Sequence, residues 1–312
     1  MTEPRRIAVL HGGPGPEREV SLRSGEAVAA ALARTLPAEL IRLDAAALPE
    51  GLDDGGTVVF PALHGTFGED GALQALLEEA GVAYAGSGAA ASRLCMAKEA
   101  AKAVAAENGV AVPEGRGFGA DGVPSAAELV GELGGALVLK PADAGSSVRL
   151  SVTEDEAALA AALAGVDGGR WLVERRIRGR ELTVGVLGGR ALGVVEVVSV
   201  GGVYDYAAKY TPGATEYRYP ADVTDSVRSD LERSAETVFR ACGCRDFARV
   251  DFMLEGAVPY FLEINTLPGL TETSLLPKSA ACAGYDFEAL ALALVAPAVG
   301  RWRAAAKRGT VG

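Results

Sequence analysis

The sequence predicts an α/β protein of two or three domains that opens on a mostly parallel sheet. Three observations carry this. The chain has 312 residues, enough for more than one hydrophobic core. Hydrophobic residues make up 49% and charged residues 23%, a globular rather than a disordered balance. Between residues 6 and 81, apolar runs of strand length alternate with helical stretches over short connections, the pattern of an open α/β unit.

The elements follow in order. RRIAVLHGG reads as a buried parallel strand closed by Gly12 and Gly13, and SLRSGEAVAAALARTL as a helix that Ser21 or Ser24 can cap. AELIRLD and GTVVFPALHG are two further strands. EDGALQALLEEAG is a helix, with Glu69 and Asp70 as dipole partners in its opening turn. SRLCMAKEAAKAVAAENG reads as one amphipathic helix that opens a second region of α+β character. That region continues with ALVLKP and VRLSVT as short strands around a loop, EDEAALAAALAG as a helix and RWLVERRI as a strand. In the third region ELTVGVLGGRALGVVEVV is a hairpin turning at Gly188-Gly189, followed by a Tyr-rich loop broken by Gly and Pro. VRSDLERSAETVFRACG is a helix, FARVDFMLEGAVPYFLEIN a second hairpin, TLPGLTETSLLPKSAACAG a loop, and DFEALALALVAPAVG a final helix. The boundaries fall near residues 93 and 175.

A net charge of −11 and a pI near 4.9 argue against an extended nucleic-acid surface. Cys95, Cys242, Cys244 and Cys282 are too few and too scattered for a disulfide scaffold, and read as reduced thiols of a cytoplasmic protein. The apolar run at the start is too short for a leader or a membrane span, and no later segment is expected to cross a bilayer.

Four constellations bear on chemistry. By strand alternation Arg249, Asp251 and Met253 share one face, and Phe261, Glu263 and Asn265 share another. If the two strands pair, two carboxylates and an amide oxygen stand together beside a guanidinium. That set suits a hard divalent ion such as magnesium with phosphates; singly, each residue also fits a half-solvated sheet face with paired charges. The second is LKPADAGSSVRL. Lys140 precedes Pro141 and is therefore extended, while Gly145, Ser146 and Ser147 can offer N–H groups and hydroxyls to an anion. Taken alone, this stretch reads better as a plain turn. The third is His64 at a strand end, before Glu69 and Asp70. The fourth is GGPGPEREVS, whose glycine spacing and prolines do not make a dinucleotide-binding turn, which disfavours a nicotinamide oxidoreductase.

GGPGPEREVSLRSG, LHGTFGEDGALQ, KPADAGSSV, YDYAAKY and ARVDFML…FLEINTLPGLTETSLLP occur in this order and span nearly the whole chain. Together they resemble the D-alanine–D-alanine ligases, ATP-grasp enzymes of bacterial cell-wall synthesis. The resemblance implies a three-domain ATP-grasp fold with an N-terminal Rossmann-like open sheet. Residues 1–93 would hold the first D-alanine, 94–175 would form the central ATP-grasp part, and 176–312 the C-terminal part with the metal site and a mobile loop. It further implies that Lys98, Lys140 and Ser147 contact ATP, that Glu174 meets the adenine side and Glu181 the ribose, and that the backbone around Arg175 and Ile177 lines the base. Lys209 would reach the γ-phosphate. Asp251, Glu263 and Asn265 would hold two Mg2+ or Mn2+, with a monovalent cation as an option. Glu17 and His64 would lie at the first D-alanine, and Arg249, Gly269, Ser274 and Leu275 at the second subsite and oxyanion region. Tyr210 and Ser146 would link across the site to Glu17.

The implied reaction makes an acyl phosphate from the first D-alanine, which the second D-alanine's amine attacks, in a homodimeric cytoplasmic enzyme without nucleic-acid or membrane partners. Alternatives from the same reading are a D-Ala–D-Ser or D-Ala–D-Lac ligase, another dipeptide ligase, and a degenerate ATP-binding relative. Two residues depart from the family pattern: Arg149, where Gly is usual, and Ala207, where an acidic residue is common. An Arg in place of a Gly would be strained if that position has φ > 0.

Overall fold

The structure is a computed structural model and describes residues 3–143, 149–199, 215–271 and 273–309. The expectations placed on Ser146, Ser147, Ala207, Lys209 and Tyr210 lie outside the described residues.

Strands β1 (Arg6–Gly12), β2 (Ala38–Leu43), β3 (Thr57–Pro61) and β4 (Ala83–Tyr84) form a parallel sheet in the order β2-β1-β3-β4. Ile7, Ala8, Val9 and Leu10 are all fully buried, as expected of a parallel strand covered on both faces. Ala8, Leu10 and Val59 pack with Leu73 and Leu77 of helix α2 (Ala72–Glu79). On the other face Ile7, Val9, Val58 and Phe60 pack with Val28 and Leu32 of α1 (Arg18–Leu32).

Three local expectations change here. Helix α1 starts at Arg18, so Ser21 and Ser24 lie inside it, fully buried, and cap nothing. Ser21 Oγ instead donates to Ala62 O and accepts from Gly12 N, tying the helix to the strand ends. Helix α2 starts only after Gly71, which sits at φ +89°, so Glu69 and Asp70 precede it. Asp70 accepts from the N–H groups of Phe67 and Ala72 and shapes the turn. The predicted long helix is two: α3 (Ala89–Met96) and α4 (Lys98–Glu107), broken where Ala97 turns extended.

The central sheet is antiparallel, in the order β5-β8-β6-β7, from β5 (Gly115–Gly119), β6 (Leu137–Pro141), β7 (Ser151–Thr153) and β8 (Arg170–Arg175). Helices α5 (Ala126–Leu133) and α6 (Glu156–Leu163) cover it through Leu129, Leu133 and Leu159 against Leu137, Leu139 and Val173. Both have the caps their sequences announce: Ser125 and Glu128 form a reciprocal capping box, and Asp155 accepts from Ala158 N. The predicted strand VRLSVT is shorter at its start, because Arg149 lies at φ +60° in a turn. Its guanidinium donates to Asp167 Oδ1 (2.5 Å) and Gly165 O (2.7 Å) and lies 4.8 Å from the Trp171 ring centre.

The third sheet, also antiparallel, runs β11-β10-β9-β12-β13, from β9 (Arg180–Leu187), β10 (Arg190–Ser199), β11 (Thr215–Arg218), β12 (Phe247–Glu255) and β13 (Val258–Asn265). Both predicted hairpins are present, the first turning at Gly188 and Gly189 with positive φ. Leu182, Val184, Val250 and Phe252 form one buried face under α7 (Asp225–Ala241) and α4. The register contains a bulge beside Asp251, so Phe252 faces Phe261 although Asp251 faces Glu263. The extra residue resets the alternation, and Phe261 joins the apolar core rather than the face of Glu263 and Asn265 that strict period two assigned to it.

Helix α8 (Leu275–Cys282), where the sequence predicts a loop, forms by packing Leu275, Leu276 and Ala280 inward on the opposite face at the β9–β10 end. There Ser279 Oγ accepts from Gly185 N and Gly193 N. A Cβ on Gly185 would stand 2.7 Å from that oxygen, so the close approach requires glycine.

The last helix, α9 (Phe287–Gly309), returns to the first sheet, where Leu290, Leu294, Val295 and Ala298 pack on Ile7, Val9 and Phe60. Contrary to the sequence expectation, α9 is long and apolar enough by length and composition to cross a membrane, with mean hydropathy 1.2. It runs to Gly309, past the predicted end, and its apolar side is core. Arg301 on this helix clamps Asp246, which also accepts from Gly86 N.

Candidate functional site

The register of β12 and β13 places Arg249 opposite Asn265 and Asp251 opposite Glu263, and that of β9 and β12 adds Thr183 opposite Asp251 and Glu181 opposite Met253. Directly paired residues share a face, so this polar set stands on the side away from the Val250–Phe252 core. Arg249 grips Asp251 with two parallel bonds, Nε to Oδ1 at 2.9 Å and Nη2 to Oδ2 at 2.7 Å. Thr183 Oγ1 donates to Asp251 Oδ1 at 2.5 Å. Asn265 Oδ1 accepts from Leu267 N, which fixes the loop that leaves β13. Two ionised carboxylates and an amide oxygen are donors that fit magnesium or manganese.

A cationic group faces this set. Lys98, the first residue of α4, has its Nζ 3.3 Å from Glu263 Oε2, and its N–H donates to Ala142 O at the end of β6. Lys140 on β6 and Lys102 on α4 enclose the Glu174 carboxylate of β8 at 2.6 and 2.7 Å. Lys102 also donates to Phe261 O. Burial opposes the Glu174 charge, but Lys140 and Lys102 outweigh it and hold the carboxyl below its usual range. Burial pushes Lys102 down to about 8, against the pull of Glu174. Two ammonium groups thus enclose one inner carboxylate and a third meets a second carboxylate, a set suited to a polyphosphate.

Glu17, His64 and Glu69 meet at the edge of the first sheet. Gly65 lies at φ +72°, and a Cβ there would stand 2.6 Å from Glu17 Oε2. His64 Nδ1 lies 2.9 Å from Leu267 O and 3.3 Å from Glu69 Oε1. Its Nε2 lies 3.1 Å from Ser24 Oγ, which accepts from Leu270 N. The carbonyl partner makes Nδ1 the donor there, while Ser24 Oγ holds the other ring nitrogen in place. Burial raises the Glu69 carboxyl above its usual range, which His64 partly offsets.

The loop carrying Leu267 and Leu270 leads to Gly269 and Ser274. A Cβ on Gly269 would lie 2.9 Å from Ser274 Oγ, which also accepts from Thr271 N. Ser274 and Leu275 open α8. The structure therefore brings Lys140 and Glu174 together, sets Lys98 against Glu263, and brings Arg249, Asp251, Glu263 and Asn265 to one face and Glu17 with His64 to one edge. The Arg175 side chain goes to Glu255 Oε2 at 3.2 Å and over the Tyr260 ring, while Ile177 is buried. Sequence reasoning missed Lys102, Thr183 and Ser24 as parts of these clusters. Lys102 had a legible signal, one helical turn after Lys98 on the same face. Thr183 and Ser24 had none, since their partners lie far away in sequence.

Comparison with known proteins identifies the family and the fold. Residues 107–296 match the family described as D-ala D-ala ligase C-terminus, and residues 40–87 its N-terminus. The chain is 46% identical over 299 residues to the D-alanine–D-alanine ligase of Syntrophotalea carbinolica, covering 94% of this chain and 96% of that one. It is 45% identical over 301 residues to that of Desulforudis audaxviator, covering 93% and 97%. Among solved structures, the D-alanine–D-alanine ligase of Bacillus anthracis complexed with ATP superposes with a TM-score of 0.81 at 28% identity, over 96% of this chain and 98% of that one. The VanG D-Ala:D-Ser ligase of Enterococcus faecalis gives 0.84 at 26%, over 95% and 100%. The fold is that of the ATP-grasp ligases, and the chain belongs to the D-alanine–D-alanine ligase family.

Proposed function

We propose that the chain uses ATP to join two D-alanines into D-alanyl-D-alanine, for peptidoglycan precursors. The observation that supports it most is the polar face of Arg249, Asp251, Glu263 and Asn265, set directly against Lys98 and its neighbours Lys102 and Lys140. A carboxylate is a poor electrophile and needs activation. Its oxygen attacks the γ-phosphorus, the bond to ADP breaks, and an acyl phosphate forms. The second amine then attacks the acyl carbon, phosphate leaves, and the amine releases a proton.

The lysine cluster gathers the phosphates and lowers the repulsion between ATP and the attacking carboxylate. Asp251, Glu263 and Asn265 would hold Mg2+ or Mn2+, which when bound neutralises phosphate charge. Arg249, fixed in direction by Asp251, and the backbone around Gly269 stabilise the oxyanion of the second step. Glu17 and His64 hold the first D-alanine, its ammonium toward the Glu17 carboxylate. Ser274 and Leu275, at the N-terminal end of α8, receive the second substrate's carboxylate.

D-alanine as second substrate is favoured by curated relatives of that name at 40–46% identity, against 26% for the D-Ala:D-Ser ligase. We place the enzyme in the cytoplasm, where its ATP is, as a homodimer. The test is phosphate release from ATP and magnesium with D-alanine alone, then with D-serine or D-lactate added, with and without potassium. Release with D-alanine and appearance of the dipeptide support the reading. Preference for D-serine or D-lactate near neutral pH overturns the specificity, and ATP binding without turnover overturns the activity.

A further inference from the structure

Three of the four cysteines converge where α3 meets the turn after α7, and the proposed reaction uses none of them. Cys95, in the last turn of α3, is buried, as is Cys242 at the end of α7; Cys244 is partly exposed. Cys95 Sγ lies 3.5 Å from Cys244 Sγ, joining positions 149 residues apart. Cys95 also shares a hydrogen bond with Cys242, which draws the Cys242 thiol below its ordinary pKa and pushes that of Cys95 up. The surroundings are firm. Cys244 N–H donates to Phe239 O, Arg245 donates to Gly86 O and lies over the Tyr84 ring, and Asp246 is held by Arg301. Cys282 stands apart, bonded to Lys278 O.

We propose that Cys95 and Cys244 form a reversible redox pair, oxidised by thiol–disulfide exchange with a small disulfide of the glutathione type. The accessible Cys244 thiolate attacks one sulfur of that disulfide. The S–S bond breaks, a Cys244 mixed disulfide forms, and the first small thiol leaves. Cys95 then attacks the Cys244 sulfur, the Cys95–Cys244 bond forms, and the second small thiol leaves. The two protein thiol protons end on the two released thiols, so the protein loses two electrons and the small disulfide gains them. The sulfurs need to close from 3.5 Å to about 2 Å. Cytoplasmic disulfides of this kind are transient and responsive rather than structural. The bond would tie α3, and through it Lys98 at the start of α4, to the turn after α7.

The test is peptide mapping of the folded protein after incubation with oxidised glutathione, with and without dithiothreitol, alongside the same treatment in urea. The expected result is a Cys95–Cys244 linked peptide from the folded protein, a whole-chain mass lower by about 2 Da, and reversal by dithiothreitol. A rise in Tm on oxidation, absent in C95S and retained in C282S, accompanies it. A Cys242–Cys244 link without Cys95, a link formed only in urea, or glutathione adducts alone overturns the proposal.

Discussion

Lys102 and Glu174 meet 2.7 Å apart with less than a tenth of either side chain exposed. The pair joins helix α4 to strand β8, and Lys140 completes it from β6. A buried carboxylate that loses one of two ammonium partners is poorly compensated. K102M is expected to lower stability by about 2 kcal/mol and to raise the KM for ATP roughly tenfold. Thermal unfolding and steady-state kinetics check it; an unchanged KM removes Lys102 from the phosphate cluster.

Lys102 also sets a pH dependence. Its ammonium, depressed from 10.5 to about 8, is present below that value and lost above it. The KM for ATP should therefore rise as pH passes upward through about 8. K102R keeps its charge and should shift that rise to higher pH. Stability runs the other way: between about 8 and 10.5 the unfolded chain holds this proton and the native chain does not, so this group alone makes stability increase with pH. A KM profile identical in wild type and K102R between pH 7 and 9 contradicts the assignment.

D251N keeps the shape of the residue and its contact with Thr183 but loses the charge that Arg249 and a divalent ion both need. Phosphate release should fall roughly 100-fold or more, with the near-UV circular dichroism preserved. Activity within tenfold of wild type would place the metal elsewhere.

Ser24 and Ser21 make a matched pair of tests. Each is buried inside α1 and bonds two partners, so S24A and S21A should each cost about 1–2 kcal/mol. Only S24A frees His64 and the Leu270 loop, so only S24A should raise the KM for D-alanine, about tenfold. Equal D-alanine KM values in the two variants would show that the His64 network is structural only.

Arg149 holds a left-handed backbone with a side chain directed at Asp167, away from Lys140 and Glu174. R149A keeps the strain and loses the contacts, so R149G should be more stable than R149A by about 1 kcal/mol. The KM for ATP should stay within twofold in both. A larger change would mean that the guanidinium serves the nucleotide.

The local logic of the chain was legible where local rules decide it. The Gly188-Gly189 turn and the β12–β13 hairpin follow from residues next to one another. The pairing of Asp251 with Glu263 followed from alternation up to the bulge, and Phe261 was misplaced because one extra residue resets the phase. The break at Ala97 was hidden, since nothing in AKEAAK disfavours a helix; there the Lys98 N–H bonds to Ala142 O, a contact from another element. Ser24 was read as a cap because a serine near a helix start is a local signal, whereas its partners His64 and Leu270 are set by the assembled fold. Arg149 was recognised as a departure, and its positive φ as a condition; its anchors, Asp167 and the Gly165 carbonyl, came from a turn too far along the chain to connect by reading.

The packing of α9 on the first sheet has a consequence for how the chain is made. Ile7, Val9 and Phe60 are synthesised early, yet the helix that covers their outer face, with Leu290, Leu294 and Ala298, is among the last segments to leave the ribosome. Through most of translation only α1 covers that sheet face, and truncation before residue 287 would leave the rest of its apolar surface open permanently. Nascent chains stalled before α9 should bind trigger-type holdase chaperones and aggregate on release, whereas full-length chains should not.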